Sequence, residues 1–443
     1  MGLGVSFFYG FIVGKWCVFP YKQVRAVYRL FRPSAEQDQD QPIGLWRRAG
    51  ATTVPNRSQR DQILKLKTLG YLRGSKEATD ELGVTRYDRD RAYEGLNFFT
   101  SGHAPQAFLM DMQGELSHTW QCTFEKAFGS RDDLGGTGEC SGTAYWRRAH
   151  LFPNGGVLAI FEGLGLIKLD ADSELIWARK AGFHHDIEVT EEGDIYVLQR
   201  EVGVNPLISN EQAILEEYVT VLNSDGETQR RVNLLDAISN SPYAALLKRI
   251  PSRSDGDVLH TNTIELLDGK LSSGCSAFRA GNVLVSFLWL DAIAVIDMET
   301  EAVVWAMAGM WKEQHQPTVL PNGRMLILDN NPGDGPSRVL EFDPFSQHVY
   351  WIYEGNETMP FFTASCGSNQ RLPNGNTLIT ETENGRAFEV TPDKDVVWQF
   401  VSPYRVAETD ENAPDNGKTE LIAHLLEVVR IPSDYTAIGS SQR

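Results

Sequence analysis

The chain has 443 residues, and its 41 Lys and Arg against 59 Asp and Glu give a formal net charge of -18. Hydrophobic residues make up 42% and aromatic residues 10%, which is enough for a sizeable core and excludes a disordered or fibrous protein. Such an acidic chain is also a poor nucleic-acid binder, because phosphate binding needs clustered Lys and Arg. The five cysteines are scattered without a C-x-x-C pair, so they predict neither a zinc finger nor a disulfide scaffold.

The first 32 residues predict a membrane anchor with a basic flank. Residues 2–21, GLGVSFFYGFIVGKWCVFPY, carry a single charge, Lys15, and the first 32 residues hold five basic residues and no acidic one. The stretch lacks the basic start and the small-residue cleavage site of a signal peptide. An apolar helix docked on the protein itself or on a partner is the alternative. Residues 33–92 are interpreted as a linker with one short helix, and residues 436–443 as a tail.

A two-part unit recurs between residues 93 and 435. Its first part is a hairpin with a tight turn, as in LFPNGGVLAI at 151, VTEEGDIYVL at 189, IELLDGKLSS at 264, VLPNGRMLIL at 319 and RLPNGNTLIT at 371. Its second part is a hairpin that usually ends in Trp, and its six copies are LMDMQGELSHTW at 109, KLDADSELIW at 168, VLNSDGETQRRV at 221, VIDMETEAVVW at 295, EFDPFSQHVYW at 341 and EVTPDKDVVW at 389.

Two hairpins per unit give four strands, which is the content of one blade of a β-propeller. The sequence therefore predicts an all-β fold, a six-bladed β-propeller over residues 93–435, and a β-sandwich would not explain six copies of one unit. Residues 234–250 predict a short helical insertion, and residues 421–432 could supply the strand that closes the ring.

Histidines recur at one level of this propeller. His184 and His185 precede the turn glycine Gly193 by nine and eight positions, His260 precedes Gly269 by nine, and His315 precedes Gly323 by eight. Because the innermost strands of a propeller line its axis, these imidazoles should converge at one mouth of the channel. They could bind zinc with water, or form a metal-free anion pocket with one histidine as nucleophile. We favour the second, because no carboxylate shares the position, although Asp186 could orient a neighbouring imidazole.

The ordered segments HHDI, HTNTI, QHQPTVLPNG, GSNQRLPNGNTLIT and EVVRIPSDY resemble the bacterial arylsulfotransferase family over residues 93–435. The resemblance implies a six-bladed propeller, usually in the periplasm, that moves a sulfuryl group from a phenolic sulfate ester to a phenol. The transfer is ping-pong through a sulfated histidine and does not use the nucleotide donor PAPS, so neither a cofactor nor a metal is expected.

Carried over by position, the resemblance makes His315 the nucleophile. His260 and His185, or His184, then bind sulfate oxygens and assist proton transfer. Asn262 matches an asparagine beside the second histidine, and Ser368 and Asn369 occupy the same level in the next blade and are predicted to bind substrate.

One departure from the family concerns an arginine. The family commonly carries an arginine in the strand after the second histidine, and Leu288 takes its place here, with Arg279 on the preceding segment not an obvious substitute. This departure motivates an alternative function, a catalytically inactive propeller that serves as a membrane-anchored binding or assembly subunit. A quinone-cofactor dehydrogenase is a third interpretation, from the Trp motif VIDMETEAVVWAMAG, but recurrent Trp at blade ends is usually core packing.

Location follows from two opposing signals. The basic residues after the apolar stretch indicate a cytoplasmic body by the positive-inside rule, whereas the resemblance implies the periplasm. We expect a cell-membrane protein with a single N-terminal anchor and a periplasmic propeller, and the cytoplasmic side is the alternative. The expected partners are a small phenolic sulfate or phenol and, through residues 2–21, the membrane. A membrane protein is a partner in the inactive alternative, and no nucleic acid is expected.

Overall fold

The computed structural model describes residues 73–130, 141–251, 256–331, 335–407 and 420–435. The predicted anchor at 1–32, the linker residues 33–72 and the tail at 436–443 lie outside the described residues. Within those ranges, no helix has the length and the apolar character that crossing a membrane requires.

The described chain is all-β with a few short helices. Its strands are β1 (Gly74–Glu77), β2 (Gly83–Tyr87), β3 (Leu96–Ser101), β4 (Gln106–Met110), β5 (Leu116–Gln121), β6 (Arg148–Leu151), β7 (Val157–Phe161), β8 (Gly165–Leu169), β9 (Leu175–Arg179), β10 (Phe183–Val189), β11 (Ile195–Gly203), β12 (Ile214–Leu222), β13 (Thr228–Asn233), β14 (Thr261–Leu266), β15 (Val283–Phe287), β16 (Ala292–Asp297), β17 (Ala302–Ala308), β18 (His315–Val319), β19 (Met325–Asp329), β20 (Arg338–Phe342), β21 (Val349–Tyr353), β22 (Ser368–Arg371), β23 (Thr377–Glu381), β24 (Arg386–Val390), β25 (Val396–Val401), β26 (Arg405–Ala407), β27 (Glu420–Ala423) and β28 (Leu425–Ile431). The helices are α1 (Phe124–Phe128) and α2 (Leu234–Ser239), with 3₁₀ turns at Ser141–Thr143, Ala244–Arg249, Ser276–Phe278, Leu288–Leu290 and Thr382–Asn384.

Among the described residues, six antiparallel sheets have four or five strands each. Their strand orders are β6-β7-β8-β9, β10-β11-β12-β13, β14-β15-β16-β17, β18-β19-β20-β21, β22-β23-β24-β25-β2 and β28-β3-β4-β5. A seventh, three-stranded sheet has the order β1-β27-β26. This succession of four-stranded meanders is the arrangement of a β-propeller.

The edge strands β6, β10, β14, β18, β22 and β28, here called the inner strands, connect one sheet to the next. Each contacts the following one in this order. The Nη1 atom of Arg148 on β6 forms an ion pair with Glu427 on β28, so the sixth inner strand contacts the first one. The beginnings of the inner strands therefore lie near one another.

The predicted hairpins form with one exception. All six second-part hairpins pair as expected, for example β24 with β25 and β16 with β17. In IELLDGKLSS at 264, only the first strand, β14, forms. Residues 268–281 make a long loop with a 3₁₀ turn, and the hairpin closes between Leu267 and Asn282. Gly269 is therefore not the glycine of a tight hairpin turn, and its distance in sequence from His260 does not report the pairing register of β14.

The last strand completes the first sheet, as predicted. β28, inside the predicted segment 421–432, pairs antiparallel with β3. Without it, the buried residues Phe98 and Phe99 of β3 would belong to an open sheet edge, which invites aggregation.

The linker prediction is wrong for its last residues. β1 and β2 lie within residues 33–92, where no strand was expected. β2 adds a fifth strand to the sheet of β22 to β25, and β1 pairs with β27. The charged residues of this stretch indicated solvated surface and not strands, but edge strands tolerate exposed charge.

The helical insertion is confirmed. Residues 234–250 form α2 and the 3₁₀ turn Ala244–Arg249. The side chain of Asn233 caps α2 by accepting a hydrogen bond from the backbone N–H of Asp236, and the apolar face of α2 is buried against β12 and β17.

Tryptophans on the fourth strands of four sheets form hydrogen bonds to the following sheet. The indole N–H of Trp120 donates to Gly155 O over 2.9 Å, and that of Trp398 donates to Met112 O over 3.0 Å. Trp177 and Trp351 bond in the same way to turns of the following sheets. These recurrent Trp residues thus pack between sheets, which is the explanation preferred above to a quinone-cofactor motif.

Replacing Trp398 with Ala should lower the free energy of unfolding by about 3–5 kcal/mol, because a fully buried indole and its hydrogen bond are lost. Urea or thermal unfolding measures the change. The control Ile176→Ala, at a side chain 55% exposed, should change it by less than about 0.5 kcal/mol. Equal losses in the two variants would contradict a locking role for Trp398.

Candidate active site

Four histidines lie at the beginnings of three neighbouring inner strands. His184 and His185 are the second and third residues of β10, His260 directly precedes β14, and His315 is the first residue of β18. Each is at most 9% exposed. The ordered contacts of these strands bring the four residues into one region of the protein.

The backbone at this level is bent by β-bulges. His185 and His260 have φ values of 55° and 50°, and Gln316 and Cys366 on the next two sheets have 49° and 56°. The pairing register of β10, β14 and β18 shifts at these points. Positive φ is uncommon for residues other than glycine and costs conformational energy. Positive φ recurs near the starts of four neighbouring inner strands, and such strained residues are frequent at functional sites.

Three of the imidazoles form a chain of contacts. The Nδ1 atoms of His184 and His185 lie 2.8 Å apart, so one donates to the other. The ring of His185 meets that of His260 edge-to-face with centroids 4.9 Å apart. His260 in turn lies edge-to-face against Trp289 at 5.7 Å. The rings are therefore held by each other and by one indole.

His260 is the protonated member of this group. Its Nδ1 forms a short hydrogen bond and ion pair with the carboxylate of Asp257. Burial by itself lowers the pKa of His260, but the charge of Asp257 and this hydrogen bond outweigh burial and raise the pKa above its usual value. The Asp257 pKa is lowered, because the charge of His260 outweighs its burial. His260 can therefore serve as an acid near neutral pH.

His315 has a fixed neutral tautomer. Its Nδ1 lies 2.7 Å from Asn330 Oδ1 and 3.1 Å from Glu313 O. The amide of Asn330 is oriented by its Nδ2, which donates to Thr363 O and Cys366 O, so Oδ1 must face His315. Both neighbours of Nδ1 accept, and Nδ1 therefore carries the proton. Nε2 keeps its lone pair, which is the form a nucleophile needs.

Burial keeps the remaining imidazoles neutral. Burial, together with nearby positive charge including that of Arg147, lowers the pKa of His315 to about 3. The pKa values of His184 and His185 are also lowered well below the usual value, first by burial and then by the charges of Arg200 and Arg147, respectively. Protonation is thus favoured for His260 and disfavoured for the other three imidazoles, and such a separation is typical of an acid beside a neutral nucleophile or base.

A carboxylate lies closer to the histidines than the sequence indicated. One donor atom each of Glu162, His184 and His185 lies within 4.8 Å of the others, which is close enough to hold a metal ion. No carboxylate shares the in-register position in the sequence, but Glu162 reaches the histidines from the end of β7 on the preceding sheet. Arg200 Nη1 lies 3.7 Å from Glu162 Oε1, so a dication would compete with a guanidinium.

Comparison with known proteins places these histidines in a family. The family model for arylsulfotransferase (ASST) matches residues 148–403, more than half of the chain. The chain belongs to the arylsulfotransferase family. No curated protein matches it in sequence.

Three solved structures resemble the chain at low identity. A protein of unknown function from Bacteroides caccae has 11% identity and a TM-score of 0.46, covering 70% of this chain and 94% of its own. A streptogramin B lyase has 12% identity and a TM-score of 0.41, with 76% and 86% coverage. The WD40 β-propeller domain of Doa1 has 12% identity and a TM-score of 0.38, with 71% and 76% coverage.

The place of the arylsulfotransferase arginine is apolar here. Leu288 is 6% exposed, and its backbone N–H donates to His260 O over 3.2 Å, so it lies at the level of the histidines. Arg279 precedes the opposite end of β15 and is tied to Asp297 and Glu299 at the surface. It therefore does not replace the arginine.

The predicted substrate-binding amides and hydroxyl are engaged with the protein. Asn262 Nδ2 donates to Gln314 O over 2.8 Å, and Asn369 Nδ2 donates to Gln316 O over 3.1 Å. Both therefore hold the backbone on either side of His315. Ser368 donates to Thr380 Oγ1 over 2.9 Å between two strands.

Asp186 does not orient an imidazole. Its Oδ1 accepts from Arg148 Nε and from the backbone of Ile187, and its Oδ2 accepts from the backbone of Ile264. The prediction was wrong because both carboxylate oxygens of Asp186 accept from other groups, the Arg148 guanidinium and two backbone N–H groups.

Sequence reasoning missed several residues at the site: Arg147, Glu162, Arg200, Asp257 and Asn330. A signal was available for Asp257, which lies three residues before His260. A signal was also available for Arg147, which precedes the turn glycine Gly155 by eight positions, the spacing of His185 and His315 from their own turn glycines. Glu162, Arg200 and Asn330 lie on or directly after the second strands of their sheets, so they become visible only when the sheets are assembled.

The imidazole signals should separate on titration. We expect His260 to titrate above pH 6.5 and His315 to show no titration between pH 5 and 8, by NMR of histidine-labelled protein assigned with single His→Asn variants. Because folded His260 binds its proton more tightly than unfolded His260, its stabilising contribution is complete below about pH 6.5 and is lost as the pH rises through its folded pKa.

The variant Asp257→Asn should lower the pKa of His260, since burial then acts without the opposing charge. An unchanged His260 titration in this variant would contradict the ion pair.

Proposed function

We propose that this protein transfers a sulfuryl group from a phenolic sulfate ester to a phenol without PAPS, through a sulfated His315. We also propose that the six large sheets are the blades of a six-bladed propeller whose inner strands surround an axial channel. The observation that carries the proposal is the Nδ1–H tautomer of His315, fixed by Asn330, which frees Nε2 for attack.

The first half-reaction uses the two kinds of imidazole. His315 Nε2 attacks sulfur, the S–O bond to the aryl oxygen breaks, and the His260 imidazolium gives its Nε2 proton to the departing phenolate. In the second half-reaction His260 takes the proton of the acceptor phenol, the phenol oxygen attacks sulfur, and the S–N bond to His315 breaks. Asp257 outweighs the effect of burial and gives His260 the raised pKa that this exchange needs.

The pair His184 and His185 supplies a neutral donor. Of two neutral imidazoles that share one Nδ1–H···Nδ1 bond, the acceptor must carry its own proton on Nε2. That N–H is suited to a sulfuryl oxygen whose charge changes during transfer. Asn262 and Asn369 are positioning residues in this scheme, because they hold the backbone around His315.

For the location, we propose a cell-membrane protein anchored through residues 2–21 with the propeller in the periplasm. Labelling of Cys366, which is partly exposed, by a membrane-impermeant maleimide in intact cells tests the side. Labelling that begins only after the inner membrane is broken would place the body in the cytoplasm instead.

A second candidate is an inactive propeller that acts as an anchored binding or assembly subunit. The observation in its favour is Leu288, an apolar side chain beside His260 where the family has an arginine. The experiment below separates it from the enzyme, because an inactive propeller forms no sulfated histidine.

Incubation of the detergent-solubilised protein with 4-nitrophenyl sulfate should give a burst of nitrophenol and a sulfuryl adduct on His315, seen by mass analysis. His315→Asn should lose both, since the nucleophile is gone. The control His348→Asn, at an exposed turn, should behave as wild type. Absence of adduct and nitrophenol in the wild type across several aryl sulfates would refute the enzyme.

Transfer should not depend on a metal ion. Prolonged dialysis against EDTA is expected to leave turnover unchanged, because no step uses a metal. Added Zn²⁺ should inhibit by occupying Glu162, His184 and His185. Loss of turnover on chelation, with recovery on adding Zn²⁺, would show instead that these three residues hold a catalytic metal.

A further inference from the structure

Arg147 lies at the level of the histidines, on the sheet of β6 to β9, which precedes the first histidine-bearing sheet in the chain. It directly precedes β6, as His260 precedes β14, and its side chain is 5% exposed. Its backbone N–H donates to Ile160 O over 2.8 Å, which fixes the start of the strand. Its guanidinium Nη2 reaches across to Cys366 Sγ at 3.6 Å. The side chain thus extends from the first of these inner strands towards the fifth.

Cys366 connects Arg147 to the nucleophile. The carbonyl of Cys366 accepts a hydrogen bond from Asn330 Nδ2 over 2.8 Å, and Asn330 Oδ1 receives the Nδ1 proton of His315. Arg147 therefore contacts the residue whose carbonyl bonds to the Asn330 amide beside His315. The positive charge of Arg147 also lowers the pKa values of His185 and His315.

The two neighbouring arginines have other tasks. Arg148 Nε donates to Asp186 Oδ1 over 2.7 Å, and Arg148 Nη1 pairs with Glu427 further along the inner strands. Arg200 lies beside Glu162, with 3.7 Å between Nη1 and Oε1. Both hold carboxylates in place. Arg147 extends towards the thiol of Cys366, whose carbonyl accepts from the Asn330 amide beside His315.

We propose that Arg147 is the cationic contact for the sulfuryl oxygens of the substrate, and that the site selects singly charged aryl sulfate esters over doubly charged aryl phosphates. This inference rests on the proposed function. A guanidinium presents a planar set of donors that suits two oxygens of one tetrahedral anion. Arg147 would thus take the place that Leu288 leaves apolar, from a different sheet.

The charge around the histidines supports selection of a monoanion. Among the described residues at this level, the cations are Arg147, Arg200 and protonated His260, and the carboxylates are those of Glu162 and Asp257. Glu217 adds a third carboxyl group whose pKa is raised by burial and by the charge of Asp257. These carboxyl groups offset part of the positive charge of the cations, so the site suits one negative charge better than two. A buried dianion would keep an uncompensated charge, which is costly in a site of low dielectric.

The test measures binding of inert probes to the full-length protein by calorimetry at pH 8. Benzenesulfonate is a monoanion that cannot be transferred, and phenylphosphonate is its doubly charged counterpart. Wild type should bind benzenesulfonate more than about tenfold more tightly than phenylphosphonate. Arg147→Gln should weaken benzenesulfonate binding about 10- to 100-fold, the usual effect of a lost charge-assisted hydrogen bond. Arg279→Gln, at a surface ion pair, should bind as wild type.

A second variant and a second readout guard against misfolding. Arg147→Lys keeps the charge without the planar donors and should give an intermediate affinity. Thermal unfolding of both variants shows whether they remain folded. A merely structural role for Arg147 would lower the unfolding midpoint without this graded loss of benzenesulfonate affinity.

The outcomes separate the two proposals. Normal probe binding and normal turnover in Arg147→Gln, or tighter binding of phenylphosphonate than benzenesulfonate by wild type, would overturn the role of Arg147. Arg147-dependent binding of benzenesulfonate by a wild type that forms no sulfated histidine would support the anion contact and refute sulfuryl transfer.

Discussion

Pairing of β28 with β3 is the constraint on which the rest of the structure depends. It completes the first sheet with residues from the far end of the described chain, and Arg148 on β6 then reaches Glu427 on β28. The beginnings of the inner strands approach one another because this circuit is closed. Each histidine alone lies on an ordinary strand start, and it is the closed order of sheets that makes four separate positions a single site.

The buried imidazoles of the site differ in pKa although they are similarly buried. Desolvation lowers the pKa of every histidine at this level, and one carboxylate, Asp257, reverses the effect for His260 alone. For His315 a neutral amide, that of Asn330, fixes the tautomer without adding charge. A carboxylate against one imidazole and an amide against another therefore favour the acid and nucleophile roles that we propose for His260 and His315.

The sequence predicted what depends on local turn chemistry. Pro-Asn-Gly turns and Trp-ended hairpins gave most strands and the closing segment, because each hairpin is specified by adjacent residues. The turn after β14 was misplaced, since Asp268 and Gly269 imitate a tight turn while residues 268–281 form a longer loop. The histidines were found because they repeat in register. Glu162 was missed because it reaches the site from another sheet and no repeat marks it. Arg147 was missed because it is not a histidine, although it precedes its turn glycine, Gly155, by the same eight positions as His185 and His315.

The bulges at the strand starts bear on how such a site can change over evolutionary time. The inner strands β10, β14 and β18 each present a side chain at this level through a local bend, so these positions are similar in geometry although they differ in sequence. A charged group lost from one sheet can be supplied by another without rebuilding the backbone between them. Families with this architecture can therefore redistribute their chemistry around the ring, and a missing residue at one position is weak evidence that activity has been lost.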